Sequence, residues 1–199
     1  MNLDGKLVSV EHSRLINPKL QEVEKYRDKI IKSAQKIFEE KYKAQLYVLL
    51  TFKDIDLEGR KKFDYYVNEI YSLIESIYLN NQLYEFSISS RNRYPSFEHS
   101  FLEHISVNNT LDINNWQHFG AYFVDWIDTQ WLTTIIKKKE LNISKYKKEF
   151  DQNWLLLVAN FGSKASANRT DFIDYSFLNT RFDKVFIHHY MSNEIIVVK

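Results

Sequence analysis

Cysteine is absent from the 199 residues, which excludes disulfide staples, thiolate metal sites and a cysteine nucleophile. Proline (2) and glycine (4) are nearly as scarce, so collagen-like and linker-dominated chains are excluded as well. The glycines, at positions 5, 59, 120 and 162, cannot spell GxGxxG or a Walker loop. A Gly-x-Ser-x-Gly nucleophile elbow is missing too. Long apolar runs are lacking: the longest, Trp154–Ala159, falls far short of the ~20 residues a membrane helix needs. Met1–Val10 holds no apolar stretch of signal-peptide length. The expectation is a cytoplasmic chain with no membrane partner.

What is present is ordinary globular material, 44% hydrophobic and 27% charged, enough for one compact domain over 1–199 whose core needs no staples. The net charge of +1 predicts no bulk attraction to polyanions, but the charges are unevenly spread. Residues 1–62 carry 14 basic and 10 acidic side chains, 63–136 carry 2 and 9 with no lysine, and 137–199 carry 11 and 7. Basic ends that converge in space would make a phosphate-tolerant face. As separate solvated helix surfaces, the same bias needs no partner.

Asn17–Pro18 reads as a helix start, and the stripe Leu20, Val23, Tyr26, Ile30, Ala34, Ile37 and Phe38 predicts a helix over 18–43. A buried strand follows over 46–52 (LYVLLTF), then a polar loop over 53–59 and a second amphipathic helix over 60–79. Strands are expected over 83–89 and 101–107, flanking a loop at 90–100 that holds Pro95. Ile113, Trp116, Phe119, Phe123, Ile127, Trp131 and Ile135 predict a helix over 113–138, with the spacing kept into 140–150. NWLLLVA (153–159) is the strongest buried-strand signal; a short helix over 170–178 and strands over 182–188 and 194–198 complete the chain. This order predicts the α/β class, with α+β as the alternative, in one mixed sheet with helices packed on it. The strands at 46–52 and 154–159 should be central and covered on both faces.

Several constellations could carry chemistry. Glu98, His99, Glu103 and His104 form the one metal-like cluster; His99 and Glu103 share a face on either a helix or a strand, but the spacing departs from HxxEH and a third ligand is not evident. His188 and His189 are adjacent and would face opposite ways in a strand. Asp125 and Asp128 beside Trp126 and Trp131 could hold a sugar or a cationic partner, with Trp116, Phe123 and Ile127 expected in the core. Lys137, Lys138 and Lys139, followed by Lys145 and Lys148, could meet nucleic-acid phosphates, or could simply complement a helix C-terminus. The loop Gly162–Ser166, after the central strand and before the expected helix, makes Ser163 and Lys164 candidates for an anion pocket.

Lys139-Glu140, Tyr146, Trp154–Val158 and Phe182–Phe186 together resemble the tail of a family of uncharacterised bacterial proteins whose layout is similar to the restriction-endonuclease-like fold. The resemblance covers 137–199. It implies an acidic residue on one strand and an (Asp/Glu)-x-Lys pair on the next, holding Mg²⁺. Asp4-x-Lys6 has no expected strand before it, and Glu39-x-Lys41 lies on the first helix. The strand at 46–52 runs into Lys53 without the acid, while Glu85 and Glu103 lack a lysine two residues on. The leading expectation is therefore a non-enzymatic interaction or accessory module of a bacterial system acting on nucleic acid, with a protein partner. The alternatives are a diverged Mg²⁺-dependent nuclease using Glu85 and Glu103 with His99 or Lys53, and a non-specific nucleic-acid binder using Lys137, Lys138, Lys139, Lys145 and Lys148.

Overall fold

The computed structural model describes residues 1–55, 57, 62–93, 97–119 and 123–199, with only the backbone of Asn92 and Arg93. The expected helix start at 60–61, part of the loop at 53–59, Pro95 and Gly120 lie outside the described residues. In chain order the elements are β1 (Asn2–Leu3), β2 (Lys6–Arg14), α1 (Pro18–Tyr42), β3 (Tyr47–Phe52), α2 (Phe63–Asn81), β4 (Ser87–Ser89) and the single turn α3 (Ser90–Arg93). They continue with β5 (Leu102–Asn108), β6 (Asn115–His118), α4 (Thr129–Ile143), β7 (Gln152–Ala159), β8 (Lys184–His189) and β9 (Glu194–Val197). The α/β class holds, with helices and mixed sheets. The strands fall into two sheets, where the sequence predicts one, each within its own compact unit.

The first unit comprises Met1–Gln21 and Tyr122–Lys199. Its sheet has the order β1-β2-β7-β8-β9. Asp4 and Gly5 both have positive φ (49° and 79°), the two-residue turn that closes the β1–β2 hairpin. β2 then runs parallel to β7, from Val8 opposite Gln152 to Arg14 opposite Val158. β7 runs parallel to β8, and β9 returns antiparallel. NWLLLVA thus sits in the central strand, as expected. Only one of its faces is fully buried: Leu155, Leu157 and Ala159 are at 0% exposure, while Trp154, Leu156 and Val158 are half-buried. The buried face packs with Val185, Ile187 and Phe182 against Leu132 and Ile136 of α4.

α4 starts at Asp128, whose carboxylate accepts the amides of Gln130 and Trp131 at 2.8 and 3.1 Å. The helix expected over 113–138 is therefore shorter and later. Asn115–His118, near its expected start, form the edge strand β6, with Trp116 at 0% exposure, whereas Phe123, expected in the core, is 96% exposed. The short helix expected over 170–178 is also absent; turns and irregular backbone occupy that segment.

The second unit, Glu22–Ala121, holds a sheet of order β4-β5-β3-β6 with β3 interior. Asn17 caps α1, accepting the amides of Lys19 and Leu20, so that the helix begins at Pro18 as the sequence predicts. Its buried line is Ile30, Ile31, Ala34 and Phe38; Val23 and Ile37 of the expected stripe face outward. Phe38 packs on Tyr42, Tyr78 and Trp116 with ring centroids 5.0, 5.2 and 5.4 Å away. Lys41, Tyr42 and Tyr71 all donate to the Glu75 carboxylate, tying α1 to α2. Together these donors hold Glu75 at a pKa of about 2, Lys41 being the largest influence. On β3, Val48 and Leu50 are buried, but Tyr47 and Leu49 on the other face are half-buried. As in β7, the expected cover is complete on one side only.

Candidate functional site

The structure disperses most of the candidates taken from sequence. Glu85 is exposed and lies before β4, outside any strand. Ser87 pairs with Asn108 in an antiparallel ladder. Glu85 therefore lies beyond the far end of β5 from Glu103, on the order of 20 Å away at strand rise. Glu103 is exposed at a bulge, since Thr51 pairs with His104 and Phe52 with Leu102. Lys53 follows β3; its amide donates to the Phe101 carbonyl at 3.0 Å and its carbonyl accepts from Arg27 at 3.1 Å. The expected trio Glu85, Glu103 and Lys53 is thus not assembled.

His99 is turned to structural work. Its Nδ1 accepts the amides of Phe101 and Leu102 at 3.4 and 3.2 Å, and its Nε2 lies 3.9 Å from Glu69. Burial pushes its pKa down, with Glu69 opposing and Lys53 adding to the shift. Among the described residues, no three His, Cys, Asp or Glu side chains converge as a metal site.

The lysines of 137–148 are only partly available. Lys137, Lys138 and Lys139 sit within α4, which runs on to Ile143, not at its end. Lys139 donates to Glu11 at 3.2 Å, and Lys137 reaches Glu140 at 3.2 Å. Burial pushes the Glu11 carboxyl up, but donation from Asn142, Lys139 and Tyr146 outweighs it and holds the group below its usual range. Lys138, Lys145 and Lys148 are exposed.

The loop after β7 spends several of its amides internally. The backbone N–H groups of Gly162, Ser163, Ser166 and Ala167 are donated to Asn160 or Ser163 within the loop itself. The expected helix behind it is missing, so the strand-to-helix position that suggested an anion pocket at Ser163 and Lys164 is not present.

The open face of the five-stranded sheet is a different matter. Residues alternate across a sheet, so those on the side away from Leu155 and Leu157 share one surface. Register places Val8, Val10, His12 and Arg14 of β2 beside Gln152, Trp154, Leu156 and Val158 of β7, then Lys184, Phe186 and His188 of β8; Val8, at 1% exposure, is covered, and the face opens from Val10 onward. Ile195 and Val197 of β9 finish the row. Val10, Ile195 and Val197 are 48%, 60% and 64% exposed. Trp154, Leu156, Val158 and Phe186 belong to neither hydrophobic core. Trp154 and Phe186 meet edge to face at 5.5 Å, and the Lys184 ammonium stands 4.8 Å above the Trp154 ring.

The charges that the paired strands carry to this surface are all of one sign. Lys6, Arg14 and Lys184 project here, while the carboxylates carried by the strands, Glu11 and Glu194, project to the opposite side. The corresponding face of the four-stranded sheet has a different composition. It presents Tyr47, Ser87, Ser89, His104, Ser106, Asn108 and Gln117, with Leu49 as its one aliphatic member. A polar open face is the ordinary antiparallel pattern; an apolar, aromatic and cationic one is not.

Periodicity alone could not reveal this surface, because β2 reads poorly as a strand. Its α4-facing positions are Ser9, Glu11 and Ser13, held by hydrogen bonds such as Ser9 to Asn153 at 2.6 Å. The Asp4-Gly5 pair was the available signal for the hairpin. Comparison with family models, curated proteins and solved structures finds no match.

Proposed function

We propose that the chain is a binding module that holds single-stranded nucleic acid on the open face of its five-stranded sheet, as an accessory to partners that act on the strand. One observation carries this reading: Trp154 and Phe186 stand on adjacent central strands, ringed by Lys6, Arg14 and Lys184 with no strand carboxylate on that side. Unpaired bases offer two flat faces each, and aromatic side chains on a sheet stack them with little regard to sequence. The cations answer the phosphates, and His12 and His188 add hydrogen-bonding groups between the two. A duplex hides its base faces, so this surface favours single strands.

Fluorescence anisotropy with labelled single-stranded DNA, single-stranded RNA and duplex tests the reading. The expected result is saturable, salt-sensitive binding of single strands that exceeds duplex binding. Equal affinity for duplex, or no binding to any form, overturns it. Following the strand's length in the same tube with Mg²⁺ separates holding from cutting; cleavage would replace this reading by the nuclease one.

A further inference from the structure

The carboxyl ends of β7 and β8 open onto a cavity of about 410 Å³, a place and size at which sheets with parallel strands commonly hold small ligands. His189 is built into its wall, 2% exposed, with Nε2 held 2.7 Å from the Thr170 hydroxyl. The Phe161 ring lies parallel to the imidazole at 4.8 Å and 11°. The other ring nitrogen, Nδ1, is buried without a hydrogen-bond partner. Such an atom, buried without a partner in the chain, costs free energy and asks for a polar partner.

The charges of the cavity narrow the class of that partner. Arg169 is committed: it pairs with Asp171 through two hydrogen bonds, at 3.2 and 2.7 Å, and its guanidinium stacks 4.3 Å from the Trp126 ring. Glu194 also lines the cavity, so carboxylates outnumber cations there by one and a phosphate is disfavoured. Phe172 lines it too, 95% exposed, a cost that a flat ring lying against it would offset.

We infer that this cavity binds a nucleobase, a planar heterocycle bearing an amino group, taken without its phosphate. The ring lies against Phe172, one ring heteroatom meets His189 Nδ1, and the exocyclic amino group donates to the Glu194 or Asp171 carboxylate. His189 and Glu194 project to the α4 side of the sheet, away from Trp154 and Phe186, so the inference stands apart from the sheet-face reading. The base could come from a free nucleoside or from a nucleotide swung out of a bound strand.

The experiment is a titration with adenosine, cytidine and adenosine monophosphate, read by calorimetry and by the imidazole ¹⁵N resonances of His189. Adenosine or cytidine should bind saturably and shift the Nδ1 resonance, and the monophosphate should bind more weakly than adenosine. Glu194→Gln and Phe172→Ala, both exposed and outside the core, should each weaken nucleoside binding roughly threefold to tenfold. Trp154→Ala should leave it unchanged, so the two readings fail separately. With an oligonucleotide carrying 2-aminopurine, a rise in emission that Phe172→Ala abolishes assigns the base to a strand. Binding of free nucleosides without that rise assigns it to a free nucleoside. No shift of His189 with any nucleoside, or binding indifferent to both variants, overturns the inference and leaves a water as the partner of Nδ1.

Discussion

Replacing Trp154 by Ala separates stacking from charge on the open sheet face. The ring is half-buried, in contact with Phe186 and under Lys184, but outside both cores, so its loss should cost the fold only about 1–2 kcal/mol. Base–aromatic stacking contributes about 1–3 kcal/mol per base, so affinity for single strands should fall by roughly 5- to 150-fold. The salt dependence should hardly move. Three cations on the face, Lys6, Arg14 and Lys184, set a slope of log K against log salt no steeper than about −2, at ~0.7 per phosphate neutralised on single strands. Lys184→Gln should flatten that slope by about 0.7. Anisotropy titrations over a potassium chloride series, with the wild type and both variants, yield all of these quantities. If Trp154→Ala keeps the wild-type affinity while thermal unfolding shows it folded, the stacking platform is refuted. If Lys184→Gln leaves the slope untouched, the phosphates lie elsewhere, with the exposed Lys138, Lys145 and Lys148 of the α4 side next to test.

Other expectations follow from the same structure. Asp128→Ala removes the acceptor for two amides at the start of α4 and should lower stability by about 1 kcal/mol in denaturant titrations, with Asp128→Asn recovering most of it. Leu157→Ala, at 0% exposure in the central strand, should cost about 2–5 kcal/mol. Burial depresses the pKa of His99, His104, His118 and His189 below 6.5, so the unfolded chain takes up protons first; stability should be full above pH 6.5 and decline as pH falls below it, seen as a dropping melting temperature. Glu75, held at a pKa of about 2, adds a further loss between about pH 4.5 and 2 that Glu75→Gln should remove.

Much of the architecture is determined locally and was legible in the sequence. Asn17-Pro18 starts a helix wherever it occurs, because the asparagine oxygen meets free amides and proline has none to lose. YVLLTF and WLLLVA are central strands because chains so apolar can be satisfied only between neighbours on both edges. His188 and His189 face opposite ways because a strand alternates. Where local patterns compete, periodicity alone favours the wrong one. The three- and four-residue spacing of Ile113, Trp116 and Phe119 mimics a helix, but Trp116 is buried by pairing its strand with β3.

Tertiary structure alone decided the rest. β2 and β7 are neighbours although Val8 and Gln152 lie 144 positions apart, and apolar periodicity does not mark a strand whose core-side residues are Ser9, Glu11 and Ser13. That pairing lines Arg14 up with Val158 and sends Glu11 to the other side, which makes the open face cationic. The fates of Lys137 and Lys139 were decided in the same way, by carboxylates that the fold brings to them. Composition and periodicity determine which segments bury themselves. Which polar groups are consumed in doing so, and which remain to meet a ligand, depends on pairings between distant residues that no local pattern encodes.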